Sequence, residues 1–432
     1  MKRYLFLMVL FGLVMSCKTK NISNDLATQN PIMAHLDLVN LENDKVQVTI
    51  DPGRFVRDTV IYRLPRVVQG TYAVSDFGRY IEGLKGMDYD GNELIGTKQD
   101  TNTWVLPNAQ NLNKITYWVN DTFDQEIEGG IGEEVPFSPS GTNIEPKQVM
   151  LNLHGFVGYF DSLKNSAYQI GITAPDTFNY TSPLQEISTT KSENGKTTTS
   201  MFLANRYFEV TDNPMMYGET EVEEFMVGDI KIVLSVFSPN GVHTAKEIKE
   251  TVHKMMLAQK EYLGDLDSTP RYDILLYLSD TEKEDSPKGF GALEHHTSTV
   301  VVLPENMQPE ALAESMIDVV AHEFFHIVTP LSVHSEDVHY FDYHEPTFSK
   351  HLWLYEGVTE YFAQHFQVYE GLIDEAEYFS RTTQKINGSR SNYDDSMSFT
   401  QMSENILESP YKENYANVYL KGALIGMCVD IL

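Results

Sequence analysis

The sequence predicts an α+β multidomain protein, in which an N-terminal antiparallel β-sandwich-like region precedes a region of mixed helices and strands. Three observations predict this class. The chain has 432 residues, and at roughly 100–200 residues per domain this length supports two or three domains. Alternating apolar and polar residues dominate the pattern as far as the middle of the chain. Apolar residues spaced three and four apart dominate after it.

Composition excludes several classes of protein. Hydrophobic residues make up 41% of the chain, with 24 Tyr and 22 Phe, so it can form true cores and is neither disordered nor collagen-like. The chain has 62 acidic and 32 basic residues, for a formal net charge of −30. Because such a surface repels phosphate backbones, we expect no nucleic-acid partner.

The first residues have the pattern of an export signal. Lys2 and Arg3 precede an apolar run over residues 4–16, too short to span a bilayer as a helix. The run ends in LVMSC, which resembles a bacterial lipobox. We therefore expect a signal peptide at residues 1–16, lipidation of Cys17, and a tether at residues 17–33. This predicts an exported lipoprotein, membrane-anchored on the periplasmic or cell-surface side. The alternative is an ordinary secretory signal with a coincidental cysteine.

Residues 34–235 are predicted to form the β-rich domain. Residues 46–50 (VQVTI) and 115–119 (ITYWV) alternate in the manner of half-buried strands. Asp-Pro-Gly, Asp-Gly and Asn-Gly turn signals punctuate the region. No titratable residues gather there at catalytic spacing, and the sequence leaves the role of this domain open.

The predicted second domain covers residues 236–432. Thr244 and Glu247 have the spacing of a capping box, which predicts the start of a helix. A last apolar helix over residues 417–432 has no C-cap and no evident packing partner, so we expect the domain to be truncated at its C-terminal end. Between them, strands are expected at residues 272–278 and 297–303, and helices at residues 308–328 and 349–369.

The strongest motif is HEFFH at residues 322–326, an HExxH within the helix predicted at residues 308–328. Residues i and i+4 lie on one face of a helix, so His322 and His326 can bind one cation. Glu323 points about 100° away from that row, which suits a general base rather than a ligand. The alternative is a buried helix with two ordinary histidines.

A catalytic zinc ion takes three protein ligands and keeps one open position. The metzincin extension requires Gly three and His six residues after His326, but Thr329 and Ser332 stand there. Glu356 on the next predicted helix is instead expected to be the third ligand, giving the His₂Glu set of thermolysin-like peptidases with one zinc. Glu360, one turn on, is expected to orient an imidazole, with a solvated helix face as the alternative. We expect no ligand among His334, His339, His344, His351 and His365.

These motifs resemble a known family. HEFFH, FDY at residues 341–343 and LWLYEGVTEYF at residues 352–362 are similar to the glycyl aminopeptidase family of gluzincin zinc metallopeptidases. The resemblance implies peptide substrates, a β N-terminal domain and a thermolysin-like catalytic domain. A PDZ domain usually follows in that family, and we expect none in this chain.

The resemblance also implies how substrate is bound. Residues 289–295 (GFGALEH) resemble the family's G-x-G-G-L-E-H segment, with Ala292 at a Gly position. By that analogy Glu294 binds the α-amine of the substrate, with Gly291 and Ala292 beside it. The strand at residues 297–303 is then expected to pair with the peptide backbone.

Two further segments resemble the family. YLKG at residues 419–422 resembles the Y-x-K-G motif of the wider superfamily, whose tyrosine donates a hydrogen bond to the oxyanion, which implies that role for Tyr419. The alternative for Tyr419 is a core aromatic residue, and Tyr415 is a second, weaker candidate. Residues 64–72 (LPRVVQGTY) follow the family's L-P-x-W-x-P-G-x-Y pattern, although Val67 and Gln69 replace the usual Trp and Pro.

The leading hypothesis is therefore a zinc metallopeptidase acting as an aminopeptidase, whose preference for N-terminal Gly or Ala only the resemblance implies. Two alternatives remain open: a zinc endopeptidase of the same fold, and a non-catalytic lipid-anchored binding protein.

Overall fold

The computed structural model describes residues 30–124, 129–131, 133–266 and 269–432. The predicted signal peptide and Cys17 lie outside these residues. The largest sheet has eight strands, in the spatial order Gln185–Lys191, Thr197–Ala204, Tyr168–Pro175, Ile32–Asp37, Lys45–Asp51, Leu112–Asn120, Ile81–Asp88 and Glu93–Leu94.

Alternation builds this sheet as predicted. Val46, Val48 and Ile50 are fully buried, whereas Gln47 between them is exposed. The sheet differs from the prediction in one place, because Ile32–Asp37 runs parallel to Tyr168–Pro175. A parallel pair needs a long crossover, and the many strands between these two segments supply it.

Two four-stranded sheets complete the N-terminal part and share its main hydrophobic core. One has the order Asn179–Thr181, Met215–Gly218, Gln148–Leu151 and Asn143–Ile144. The other has the order Tyr159–Phe160, Thr59–Arg63, Thr103–Pro107 and Thr97–Lys98. The mixed α+β class with a sheet-rich N-terminal part is thus confirmed.

A mixed five-stranded sheet belongs to the C-terminal part, in the order Glu221–Val227, Ile230–Phe237, Arg271–Ser279, Ser298–Pro304 and Gly291–His295. Its central strand Arg271–Ser279 is buried along nearly its whole length, because both faces of the sheet are covered. Its first strand begins at Glu221, ahead of the boundary that the sequence placed at residues 235/236; that boundary stays a prediction.

The order of these strands corrects one prediction. Ser298–Pro304 pairs with Arg271–Ser279 on one side and with Gly291–His295 on the other. Both of its backbone edges are therefore occupied, and it cannot pair with a peptide. The outer strand at this side of the sheet is Gly291–His295, which we call the edge strand.

Helices cover the C-terminal sheet and carry the site. Thr244 and Glu247 form the predicted capping box at the start of Ala245–Leu263. We call Pro309–Phe325 the HExxH helix and Leu352–Tyr369 the second ligand helix. The other α-helices are Tyr207–Asp212, Glu336–His339, Glu375–Asn392, Phe399–Glu404 and Ala423–Ile431. Single 3₁₀ turns occur at Phe77–Tyr80, Ala109–Asn111, Ser138–Ser140, Leu153–Gly155, Asp161–Leu163 and Lys412–Asn414, and a π turn at Val418–Gly422.

The last helix has a packing partner that the sequence did not reveal. Gly426 lies against Tyr361 of the second ligand helix, and the Tyr361 hydroxyl donates a hydrogen bond to Asp430 at 2.6 Å. Within the described residues, no helix is both long enough and apolar enough to cross a bilayer.

Candidate active site

The HExxH helix and the turn after it bring two imidazoles side by side. His322 lies in the last turn of the helix, and His326 is its C-cap residue, with φ −62° and ψ −19°. Although the helix ends at Phe325, earlier than predicted, His326 keeps helical backbone angles and the i,i+4 relation survives. The two Nε2 atoms are 3.2 Å apart.

Glu356 from the second ligand helix completes a group of three donors. Its Oε2 lies 3.3 Å from His322 Nε2 and 3.5 Å from His326 Nε2. In a tetrahedral site with bonds of about 2.0–2.2 Å, neighbouring donor atoms are about 3.3–3.6 Å apart. The observed separations therefore fit a single tetrahedral cation, and all three residues line one cleft.

The Nδ1 atom of each imidazole, which points away from the three donors, has a hydrogen-bond acceptor. His322 Nδ1 donates to Glu360 Oε2 at 2.9 Å, and His326 Nδ1 donates to the Thr329 carbonyl at 3.0 Å. Because a carboxylate and a carbonyl only accept, each Nδ1 carries a proton, and Nε2 is the nitrogen of each ring that is left to bind a cation. Glu360 thus lies where the sequence predicted it.

Lys385 is a part of the site that sequence analysis missed. It comes from the helix Glu375–Asn392, and its Nζ lies 2.5 Å from Glu360 Oε1. It also donates to the Tyr419 carbonyl at 3.2 Å. Burial alone would raise the pKa of Glu360, but the hydrogen bond from His322 and the charge of Lys385 bring that pKa below its ordinary value. Glu360 is therefore a charged acceptor rather than a solvated residue.

The charges of the three donors compensate one another. Burial alone would raise the pKa of Glu356, yet the neighbouring imidazoles bring it well below the ordinary value. Burial likewise opposes the charge on His326, but the Glu356 carboxylate raises the pKa of His326 to about 9. The site therefore holds one firmly ionised carboxylate, the anionic ligand that a divalent cation needs.

Glu323 has the environment of a proton acceptor. It is buried and lines the cleft, and its Oε2 has no hydrogen-bond partner among the described residues. Burial raises the pKa of Glu323 to about 7. A buried polar atom without a partner is costly to the fold, so this oxygen indicates a group that arrives with substrate or solvent.

A close contact between glycines places Tyr419. Gly357 follows the ligand Glu356, and a Cβ on Gly357 would lie 2.7 Å from the carbonyl carbon of Gly422. Only glycine lets the second ligand helix and the π turn Val418–Gly422 approach so closely. Tyr419 in that turn lines the cleft, with its ring centre 5.7 Å from that of His322. Single π turns are frequent at functional sites.

Tyr415, the second candidate for this role, lies elsewhere. Its side chain is fully buried, and its ring packs against Tyr72 with centroids 4.9 Å apart. It does not line the cleft within the described residues. Of the two tyrosines, only Tyr419 therefore lines the cleft.

The N-terminal part reaches into the site, although no titratable residues gather in it at catalytic spacing. Tyr72 is buried, and its hydroxyl donates to Glu356 Oε1 at 2.5 Å. Gly70, with φ +80°, lies so close to the edge strand that a Cβ there would sit 2.7 Å from both carboxylate oxygens of Glu294. The only sequence signal was the GTY of the family-like segment at residues 64–72, because the partners of these residues lie more than two hundred positions away.

Glu294 lies next to Glu323. One of its carboxylate oxygens is within 4.8 Å of a Glu323 oxygen and a His326 nitrogen. Burial raises the pKa of Glu294. Ala292, on the same face of the edge strand, lines the cleft, and Gly291 at the start of the strand faces the Phe137 ring. The residues predicted to bind substrate are thus gathered at the rim of the metal site.

Neither group of candidate metal donors among the described residues includes His334, His339, His344, His351 or His365. His334 and His339 stack on each other, with Nε2 to Nδ1 at 3.2 Å. His365 Nδ1 and the Tyr262 hydroxyl share a hydrogen bond of 2.8 Å. His344 and His351 lie in the loop that leads to the second ligand helix.

The fold and this donor arrangement define the class of protein: a gluzincin fold, with HExxH on one helix and a glutamate donor on the next. The chain belongs to the M61 glycyl aminopeptidase family. Residues 33–219 match the Peptidase M61 N-terminal domain, and residues 315–425 match the M61 glycyl aminopeptidase domain. No curated protein matches the sequence.

Solved structures agree with this fold. An aminopeptidase N family protein from Idiomarina loihiensis is similar over 93% of this chain, with a TM-score of 0.74 and 18% identity, a likeness that shows the fold alone. This chain spans 66% of the length of that protein. An M1 zinc metallopeptidase from Deinococcus radiodurans is a more distant match, with a TM-score of 0.47 and 12% identity over 90% of this chain and 80% of its own length.

The contact between Tyr72 and Glu356 leads to a first prediction. Tyr72→Phe removes the donor to a buried metal-binding carboxylate, and we expect zinc affinity to fall about 10- to 100-fold. The affinity is measured on metal-free protein by competition with a chromogenic chelator. Tyr62→Phe is the matched control, because Tyr62 is also buried and its hydroxyl bonds Tyr117 and the Gly158 amide far from the site. Equal zinc affinity in the two variants would contradict the prediction.

Proposed function

We propose that the chain is a zinc-dependent aminopeptidase that hydrolyses the first peptide bond of its substrate. One observation carries the proposal. Three donors have the separations of a tetrahedral zinc site, and a second carboxylate, Glu294, lies next to the base at the rim of that site. The first group suits hydrolysis, and the second suits a substrate with a free ammonium group.

His322, His326 and Glu356 would hold one zinc ion. When bound, zinc supplies a Lewis acid and lowers the pKa of water. Glu294, Glu323 and His326 form a second group of donors, but it contains the unpartnered base. We therefore assign that second group to the ammonium and the reacting water rather than to a second metal ion.

The protein's own residues then carry out the proton transfers. Glu323, buried and with a pKa raised to about 7, accepts a proton from the attacking water and returns it to the leaving amine. Tyr419 donates a hydrogen bond to the carbonyl oxygen as that oxygen gains negative charge. Glu360 and the Thr329 carbonyl hold the two imidazoles in orientation throughout.

Glu294 makes the argument for an exopeptidase. Its carboxylate is carried by the edge strand and lies beside Gly70, where a Cβ would sit 2.7 Å from both carboxylate oxygens. An ammonium bound there lies at a set distance from the base, so the first peptide bond is the one presented for attack. A peptide with a blocked amine would leave this carboxylate buried without a partner.

The proposal predicts a strong effect of N-acetylation. With an aminoacyl-aminomethylcoumarin and its N-acetylated form, we expect the blocked substrate to be cleaved about 100-fold more slowly, since a charged hydrogen bond is lost. In Glu294→Gln the ratio should shrink, because the free amine loses its partner while the blocked substrate loses little. Initial rates from the release of the fluorophore give both ratios.

The control and the alternatives each have their own outcome. Glu305→Gln is the control, because this buried glutamate follows Ser298–Pro304 and bonds Asn240, and it should leave the ratio unchanged. Equal cleavage of blocked and free substrates would replace the aminopeptidase with an endopeptidase of the same fold. Zinc binding without cleavage of either would favour a non-catalytic binding protein.

Two further expectations stay predictions. The preference for N-terminal Gly or Ala is implied by resemblance alone. Lipidation of Cys17, and with it export and membrane anchoring, concerns a residue outside the described part of the chain, and we propose it from the lipobox-like segment only.

A further inference from the structure

A second cavity adjoins the cleft. It has a volume of about 170 Å³ and borders Gly70, Tyr72 and Glu294, of which Gly70 and Glu294 also line the cleft. The edge strand separates the cleft from the second cavity, because its successive side chains point to opposite faces. Ala292 faces only the cleft, Leu293 and His295 face only the second cavity, and Glu294 borders both. We call this space the side cavity.

The side cavity is mainly apolar. Apart from Glu294, its charged side chains have contacts of their own: Asp212 lies 3.1 Å from His296 Nδ1 and 3.7 Å from His295 Nδ1, Asp337 accepts a hydrogen bond from Thr347 at 2.9 Å, and the Arg206 guanidinium stacks on Phe208. Such a lining favours an uncharged apolar occupant, because a charged one would lose its water without gaining a free partner. The apolar walls come from Val68, Phe208, Leu293, Leu331, Val338 and Phe348.

The volume suits a large side chain. In another protein, a cavity of about 150 Å³ lined by apolar residues binds benzene. The side cavity, at about 170 Å³, can therefore hold a phenyl ring or a branched aliphatic chain. A glycine at the same position would leave it empty, and an alanine would fill only a small part.

Covalent geometry connects the side cavity to the proposed reaction. The ammonium and the side chain of an N-terminal residue share one Cα, so the side chain starts about 2.5 Å from the ammonium nitrogen. Glu294 borders both the cleft and the side cavity. An ammonium bound by its carboxylate therefore places the first side-chain carbon of the substrate at the entrance to the side cavity.

We propose that the side cavity binds the side chain of the substrate's N-terminal residue, and that the substrates are peptides beginning with an aromatic or large aliphatic residue. The inference rests on the proposed aminopeptidase function. It differs from the Gly or Ala preference that the family resemblance implies, because that preference would leave an apolar cavity next to Glu294 unfilled.

Substrate comparison tests the inference. For the zinc-loaded protein we expect kcat/KM for Phe- and Leu-aminomethylcoumarin to exceed that for the Gly derivative about 30-fold, as for a side chain entering an apolar pocket. Val338→Trp, which fills the side cavity from the short helix Glu336–His339, should remove this preference and leave the Gly rate within about twofold. Val338→Phe fills it partly and serves if the Trp variant does not fold.

Val333→Trp is the matched control, because Val333 lies in the same segment, is 68% exposed and does not line the side cavity. A wild-type preference for Gly or Ala, or an equal loss for Gly and Phe in a folded Val338 variant, would overturn the inference while leaving the aminopeptidase intact. If no free-amine substrate is cleaved, the proposed function fails. Calorimetric binding of phenylalanine and glycine hydroxamic acids then decides the inference: tighter binding of the phenylalanine compound, lost in Val338→Trp, supports it, and equal binding overturns it.

Discussion

Glu323→Gln is expected to lower kcat about 1000-fold, near the upper range for removal of a general base, while bound zinc stays at the wild-type level. Glutamine keeps the shape of the side chain but cannot accept the proton. The structure predicts that turnover and zinc binding respond differently. Glu323 borders the three donors without being one of them, and its Oε2 has no other partner in the described residues. Turnover of an aminoacyl-aminomethylcoumarin and the zinc content after dialysis are measured on the same preparation.

Glu314→Gln is the control for this substitution. Glu314 lies on the same HExxH helix, is exposed, and makes a surface ion pair to Arg381 at 3.2 Å. We expect wild-type turnover and zinc content from it, since exposed pairs of this kind contribute little. If Glu323→Gln turns over substrate as fast as Glu314→Gln does, Glu323 is not the base.

Glu356→Gln should have the second large effect, a loss of zinc binding. The proposed zinc site consists of two imidazoles and one ionised carboxylate, so the substitution removes its only anionic donor and leaves a neutral amide in its place. We expect zinc affinity to fall at least about 100-fold, beyond what loss of an outer hydrogen-bond partner causes, and turnover to fall with it. Chelator competition on metal-free protein gives the affinity.

Glu370→Gln, at the end of the same helix, controls for the loss of a carboxylate and should bind zinc like the wild type. Heating with and without EDTA adds an independent measure, because a ligand that binds only the folded state raises the unfolding temperature. The wild type should lose stability on chelation, whereas Glu356→Gln should not change. A Glu356→Gln protein that keeps stoichiometric zinc and full turnover would place the third ligand elsewhere.

Much of the metal site could be predicted because its parts are local. His322 and His326 are one helical turn apart, as are Glu356 and Glu360, and a period of 3.6 residues puts each pair on one face. What periodicity could not supply is that the two helices pack so that Glu356 meets both imidazoles and Glu360 meets one. The sequence analysis connected them through the requirement of a catalytic zinc ion for three protein ligands, not through any rule of local structure.

Other parts of the site depend on contacts that no local pattern encodes. The hydrogen bond from Tyr72 to Glu356 joins residues 284 positions apart. Lys385 sits on a polar helix that gave no catalytic signal. The mistaken choice of residues 297–303 as the peptide-binding strand has a similar cause, since alternation predicts a strand but not its place in the sheet. In the sheet, Gly291–His295 forms the edge, and Ser298–Pro304, the next strand along the chain, lies one position further in.

The sequence by itself determined which residue types are available to bind a metal ion and where helices bring them into register, because helix geometry repeats over a few residues. Tertiary structure alone decided that Gly70 and Tyr72 close the site from the N-terminal part, that the strand carrying Glu294 lies at the edge, and that an apolar cavity opens beside it. Those features arise from packing between segments far apart in the chain, where the free energy comes from burying surfaces together rather than from any local preference.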